Sequence, residues 1–299
     1  MNAAAGVLEA LGRFREACAN QPSIGRRQTI AGTECIVHRP HGEHGALPAV
    51  FVLHGGAWIG GDAVQIDSLC ALFARETPAV VFNVNYTKVD QRPFPCQAEE
   101  VCALLDHVAR HASRYGVSPR GLALCGHSAG AHISASAAIL CRDRGIPLSR
   151  QILIYPFVDW SGLVPNPLED YGIEGIPCQE FLARFFPQMA LEDPVMSPLR
   201  LDRERASGLA AADIIICGDD DIRSHGAAYY ERLTALGVKA TLKEYPQARH
   251  GFLEVNRPDC AGEYEAKSPL QALYARDCEA YILGILRHLS GAETAGREK

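Results

Sequence analysis

The sequence predicts an α/β fold, with a mainly parallel central sheet, helices on both faces and an inserted helical lid. Three observations predict it. Continuous apolar runs, Ala49–His54 and Ala79–Tyr86 among them, read as strands covered on both sides. Stretches of helical spacing alternate with these runs, the pattern of parallel strands joined by crossover helices. The alternation breaks once, between Pro156 and Arg205, where seven prolines and little β pattern leave room for a lid.

The elements follow in order. Met1–Glu16 reads as a short amphipathic helix, and Gln28–Arg39, with its alternating pattern, as one edge strand. After the buried run Ala49–His54 comes helical spacing over Val64–Glu76, then the strand Ala79–Tyr86. A long helix is expected over Gln97–Tyr115, opening behind Pro93 and Pro95, where proline is tolerated. Gly121–Cys125 is a short strand, Ser128–Arg144 an alanine-rich helix and Gln151–Tyr155 a strand. The irregular stretch holds one helix, near Gln179–Phe186. The alternation resumes with strand Asp213–Cys217, helix His225–Leu236, strand Lys239–Tyr245 and a final helix over Ser268–Leu289. The polar tail Ser290–Lys299 is expected to fray. The whole chain, 1–299, reads as one domain, its lid drawn from about 1–25 and 157–205.

Composition narrows the function. Of the 299 residues, 47% are hydrophobic and 21% charged, ordinary for a globular protein. The net charge of −6 and the lack of a basic stripe exclude nucleic acid as the expected partner. No segment approaches the roughly 20 apolar residues of a membrane span. The first residues lack a signal peptide's uninterrupted apolar run, being broken by Glu9, Arg13, Arg15 and Glu16. The eleven cysteines are odd in number and contain no C-x-x-C pair, so they read as buried thiols. A cytoplasmic setting is expected from both features. The sequence leaves a homodimer open.

The chemistry centres on Gly126-His127-Ser128-Ala129-Gly130, a G-x-S-x-G placed between a strand and a helix. A serine on that sharp turn projects its hydroxyl as a nucleophile. A helix N-cap is the other use of a serine here. A serine nucleophile needs a base. Of eleven histidines, His250 follows the last strand, at the carboxyl edge where such sheets place their working loops. His127 adjoins the serine and is expected to point elsewhere. His38, His41 and His44 form an H-x-x-H-x-x-H, but in a Pro/Gly loop without a fixed helical face, so no metal site is read there. The base needs an acid to fix its tautomer. Asp219, Asp220 and Asp221 end one strand and Asp159 follows another, and the chemistry alone leaves the choice open. His54-Gly55-Gly56-Ala57-Trp58 ends a buried strand, where glycines let backbone N–H groups turn toward a substrate carbonyl.

Five segments together resemble the hormone-sensitive-lipase-like carboxylesterases, members of the α/β-hydrolase superfamily. HGGAW stands for the family's H-G-G-G and GHSAG for its elbow. Val84-Asn85-Tyr86 with Pro93-Phe94-Pro95 resembles V-D-Y…P-F-P, and Leu153-Ile154-Tyr155-Pro156 the strand entering the lid. Ser197-Pro198-Leu199 resembles the segment where the lid returns. The resemblance covers about Ala49 to Phe252. It implies an α/β-hydrolase fold and a carboxylesterase with a triad of Ser128, Asp220 and His250, because D-P-L-x-D-(D/E)-G aligns with Asp220–Gly226. Asp159 is left a structural role. The implied oxyanion hole is the N–H groups of Gly56, Ala57 and Ala129.

Three departures stand out: Ala57 for glycine, Asp221 for proline, and Ser224-His225 for an acidic pair, the last expected to alter only the surface near the acid. No cofactor and no metal is implied. The expected partner is a small to medium, largely apolar ester, in a pocket assigned to Trp58, Trp160 and Phe185. An amide- or lactone-acting hydrolase of the formamidase kind, or a non-catalytic ligand binder, are the alternatives.

Overall fold

A computed structural model describes residues 3–186, 190–260 and 263–289. An eight-stranded sheet forms the centre: β1 (Arg26–Ile30), β2 (Thr33–His38), β3 (Leu47–Leu53), β4 (Val80–Asn85), β5 (Val117–His127), β6 (Arg150–Ile154), β7 (Ala211–Asp219) and β8 (Ala240–Arg249). Their order in space is β1-β2-β4-β3-β5-β6-β7-β8. β2 runs antiparallel to both its neighbours, and every pair from β4 to β8 is parallel. The expected α/β architecture is therefore present. The single edge strand expected over Gln28–Arg39 is two strands. Ala31 and Gly32, both at positive φ (51° and 89°), close a two-residue hairpin whose twist suits the flanking strands. The alternation of residue types runs through that turn, which is why it read as continuous.

Among the described residues eleven α-helices surround the sheet: α1 (Ala3–Ala19), α2 (Asp67–Glu76), α3 (Cys96–Arg110), α4 (Ala112–Tyr115), α5 (Ala129–Asp143), α6 (Leu168–Tyr171), α7 (Cys178–Phe185), α8 (Arg203–Ala206), α9 (Arg223–Ala235), α10 (Phe252–Val255) and α11 (Pro269–His288). α3, α5 and α9 cover one face with the 157–205 segment, and α2 and α11 the other. Successive side chains of a strand point to opposite faces. Phe51 and Leu53 accordingly enter the first layer, Val50 and Val52 the second, all fully buried. The long helix expected over Gln97–Tyr115 is interrupted at His111, which separates α3 from α4. The tail Ser290–Lys299 lies outside the described residues.

The 157–205 segment is held down by aromatic stacking. Trp58 meets Trp160 at 5.1 Å and Phe157 at 5.4 Å between ring centroids, and Phe186 meets Phe94 at 5.0 Å. Such pairs contribute about 0.5–1.5 kcal/mol each beyond area burial. Two buried histidines add polar ties. His132 accepts from Trp58 Nε1 (3.0 Å) and donates from Nε2 to the Met196 carbonyl (2.8 Å). His225 accepts from Val158 N–H and donates to the Pro165 carbonyl, while its ring stacks on Phe157 at 4.2 Å. His225 thus does not alter the surface near the acid: it is fully buried and anchors the segment. Asp159, also fully buried, accepts from the N–H groups of Ser161, Leu163 and Val164 and shapes the turn that enters it. Among the described residues no helix is long and apolar enough to cross a membrane.

Candidate active site

Four strand ends meet at one edge of the sheet. β5 ends at His127, so Ser128 sits on the turn into α5, with φ 53° and ψ −116°. A non-glycine residue in that region is strained, and the surroundings must hold it. Two glycines let them do so. A Cβ on Gly126 would collide with the Gly130 carbonyl, and one on Gly130 with the carbonyls of Leu53 and His54. Without side chains there, α5 packs directly against β3 and β5, and the serine is pushed outward.

His250 follows β8 and Asp220 follows β7. His250 Nε2 lies 2.8 Å from Ser128 Oγ, and His250 Nδ1 lies 2.8 Å from Asp220 Oδ2. The three side chains are 122 and 30 positions apart in sequence and form one hydrogen-bonded line. A carboxylate only accepts, so Nδ1 carries the proton and Nε2 is free to accept the hydroxyl proton of Ser128. Asp220 is nearly buried, with 4% of its side chain exposed, whereas His250 is 40% exposed and faces the cleft. Burial disfavours the imidazolium, but the bond and charge of Asp220 outweigh it, and Glu254 and Asp221 add to them. The His250 pKa is therefore raised above its ordinary value. The neighbouring aspartates are placed differently: Asp219 pairs with Arg249 at 3.1 Å, and Asp221 is exposed.

The loop after β3 faces the same serine. Gly56 (φ 119°), Ala57 (φ 49°) and Trp58 (φ 64°) turn the chain back sharply, and a Cβ on Gly56 would strike the Gly60 carbonyl at 2.6 Å. The carbonyl of Gly56 accepts from the N–H groups of Ile59 and Gly60. The N–H groups of Gly56 and Ala57 donate to no group among the described residues, nor does that of Ala129 at the start of α5, where helical N–H groups lack partners. Gly56 and Ala57 line the cleft beside Ser128, and Ala129 directly follows the serine.

A cleft of about 860 Å³ opens above these residues, with Trp58, Tyr155, Phe157, Leu168, Tyr171 and Tyr264 in its wall. Trp160 and Phe185, assigned to the pocket from sequence, do not line it. They belong to the aromatic layer beneath, where Trp160 packs on Phe157 and Phe185 on Phe181. Aromatic content does not tell which of these residues line the cleft. Sequence reasoning missed Tyr155 and Glu254. The Tyr155 ring lies 4.8 Å from that of His250, and its hydroxyl donates to Glu254. Glu254 also accepts from His127 Nδ1 at 2.7 Å, so His127 turns away from the cleft. Burial alone would raise the Glu254 pKa; His127 and Tyr155 hold it below the ordinary value. The four-residue spacing from His250 was the available signal for Glu254. Of the three histidines at 38, 41 and 44, His38 ends β2 rather than lying in a loop, and it pairs with Asp67 at 2.6 Å. Among the described residues no group of three or more His, Cys, Asp or Glu could hold a metal ion.

Residues 50–254 match a family model described as the α/β-hydrolase fold. Carboxylesterase NlhH of Mycobacterium tuberculosis is 34% identical over 213 residues, which span 69% of this chain and 67% of that protein. Carboxylic ester hydrolase LipN of the same organism is 31% identical over 254 residues, 80% of this chain and 66% of its own length. The chain thus spans about two thirds of these relatives. An esterase from the archaeon Pyrobaculum calidifontis is similar in structure, with a TM-score of 0.75 at 27% identity, covering 95% of this chain and 94% of that one. The eight-stranded sheet, the serine on its elbow and these likenesses lead to one conclusion: the chain belongs to the α/β-hydrolase family, among the hormone-sensitive-lipase-like carboxylesterases.

Proposed function

We propose that this protein is a serine carboxylesterase that hydrolyses small to medium, largely apolar esters through Ser128, His250 and Asp220. The observation that carries the reading is the line from Asp220 Oδ2 through the imidazole to Ser128 Oγ, with a 2.8 Å hydrogen bond at each step. His250 Nε2 takes the hydroxyl proton as Ser128 Oγ attacks the ester carbonyl. Asp220 holds the tautomer and stabilises the imidazolium. The N–H groups of Gly56, Ala57 and Ala129 receive the oxyanion. The alcohol leaves with the proton from His250. Water, deprotonated by the same imidazole, then attacks the acyl-enzyme, and the acid and free serine are released. The 157–205 segment serves as the lid, and Phe157, Leu168 and Tyr171 supply apolar wall for the substrate.

Ester preference over amide and lactone is part of the proposal, supported by relatives named as carboxylesterases and esterases. A reducing, cytoplasmic setting suits a chain whose eleven cysteines are all free thiols. A homodimer is the assembly to look for by light scattering. The deciding experiment combines a fluorophosphonate probe with a substrate panel of p-nitrophenyl esters, anilides and lactones. Labelling at Ser128, turnover of short-chain esters ahead of the rest, and loss of both in Ser128→Ala are expected. Esterase activity surviving in Ser128→Ala would overturn the proposal.

A further inference from the structure

Lys88 is 3% exposed and sits behind the loop that follows β3. Its three ammonium hydrogens have three acceptors: the Tyr86 carbonyl at 2.6 Å, Asn85 Oδ1 at 3.1 Å and His54 Nε2 at 3.1 Å. An ammonium only donates, so His54 Nε2 is unprotonated. The other nitrogen of His54, Nδ1, lies 2.6 Å from the Gly55 carbonyl, which only accepts, so Nδ1 carries the hydrogen. The two contacts therefore specify one neutral tautomer. The surroundings agree: burial and the Lys88 charge push the His54 pKa well below its ordinary value.

The consequence reaches the cleft through one peptide plane. In a trans peptide the carbonyl of one residue and the N–H of the next point in opposite directions. His54 holds the Gly55 carbonyl on the buried side, so the Gly56 N–H is turned the opposite way. Gly61 packs closely against this pair, since a Cβ there would run into both the Gly55 carbonyl and His54 Nδ1. Tyr86 steadies the same residue by donating from its hydroxyl to the His54 carbonyl at 3.0 Å and by stacking its ring on the imidazole at 4.4 Å.

We propose that Lys88 is a positioning residue for ester hydrolysis: it locks the His54 tautomer, which holds the Gly55 carbonyl and so aims the Gly56 N–H at the substrate oxyanion. The proposal rests on the reading of Gly56 as an oxyanion donor. Packing alone does not account for a buried ammonium. Replacing buried charges by apolar side chains of similar volume is often neutral or stabilising. Burial lowers the Lys88 pKa to about 8, opposed first by Asp62, which binds Asn85 at 3.0 Å.

The test is Lys88→Met, which keeps the length of the stem and removes the three donors. Losing one oxyanion donor costs about 10² to 10³ in rate. Misaiming one is expected to lower kcat by about 10- to 100-fold per titrated active site, with KM within about threefold of wild type. The affinity of a trifluoromethyl ketone, which forms a tetrahedral oxyanion on the serine, should weaken in step with kcat. A merely structural effect would lower the number of titratable sites and leave turnover per site and inhibitor affinity unchanged, and that outcome overturns the proposal. A second measurement needs no variant: ¹⁵N spectra of the wild-type protein with labelled histidine should show His54 neutral, with hydrogen on Nδ1. A hydrogen on His54 Nε2 overturns the proposal as well. Wild-type protein that neither turns over esters nor binds fluorophosphonate would instead defeat the esterase reading, leaving the His54 spectrum as a separate result.

Discussion

Replacing Asp220 by asparagine keeps the shape of the site and removes one charge. The Asp220 carboxylate is 4% exposed and accepts the His250 Nδ1 hydrogen at 2.8 Å. An asparagine in its place can turn its NH₂ toward Nδ1, which favours the tautomer with hydrogen on Nε2. That tautomer cannot take the proton of Ser128. In a comparable buried triad, this change lowers kcat by about 10⁴, or about 5 kcal/mol in activation free energy. The pH profile gives a second, independent signature. In the native protein burial disfavours the imidazolium, while Asp220, Glu254 and Asp221 together raise the His250 pKa above its ordinary 6.5. Removing Asp220 takes away the largest raising influence and leaves burial in place. The acid limb of kcat/KM should therefore move to lower pH as its height falls. The assay is hydrolysis of p-nitrophenyl acetate from pH 5 to 9, normalised by active-site titration. Asp219→Asn and Asp221→Asn are the controls, because Asp219 is engaged by Arg249 and Asp221 is exposed. The reasoning is refuted if Asp220→Asn keeps more than about a tenth of the activity with an unmoved acid limb, while either control silences the enzyme.

Acid should loosen the 157–205 segment through His132 and His225, whose pKa values burial lowers from 6.5 to about 4. The unfolded chain takes up these protons first, so their contribution to stability is complete above pH 6.5 and is lost as pH falls toward 4. At pH 5 the loss is about 2 kcal/mol per histidine, and urea midpoints that match at pH 5 and pH 8 would contradict it. Phe185→Ala should cost about 3–5 kcal/mol in urea unfolding with little change in acyl-chain preference. Tyr171→Ala, at a 58% exposed position on the cleft, should do the reverse, leaving stability within about 0.5 kcal/mol. Reversed results would return Phe185 to the pocket. Two identical substitutions should differ in sign. Gly130→Ala drives a methyl into the Leu53 and His54 carbonyls and is expected to cost about 3 kcal/mol and abolish Ser128 labelling. Gly284→Ala, in α11 with nothing near the added methyl, should stabilise by about 0.5–1 kcal/mol, read as a rise in Tm.

The sequence by itself determined the α/β class, because strand and helix carry different local periods and the buried strands are apolar without interruption. The elbow was legible for the same reason: Gly126, Ser128 and Gly130 lie within five residues, between a strand and a helix. His250 could be chosen from eleven histidines because its place after the last strand fixed which edge of the sheet it joined. Asp220 was not separable from Asp159, Asp219 and Asp221 by chemistry, and only family resemblance favoured it. The tertiary structure set these four apart, since the direction and burial of a carboxylate depend on what packs around it. The hairpin at Ala31-Gly32 was hidden because residue alternation continues across the turn.

Which aromatic residues line the cleft was likewise decided only in three dimensions. Trp58, Trp160 and Phe185 have the same hydrophobic character, and of the three only Trp58 is among the residues that line the cleft. The same holds for His225, which looked like a surface variation and is a buried anchor of the 157–205 segment, and for Lys88 behind the loop that follows β3. Periodicity reports on neighbours along the chain. The partners of His225 and Glu254, and the His54 that Lys88 meets, come from other strands and loops, and these contacts exist only once the sheet has brought those ends together.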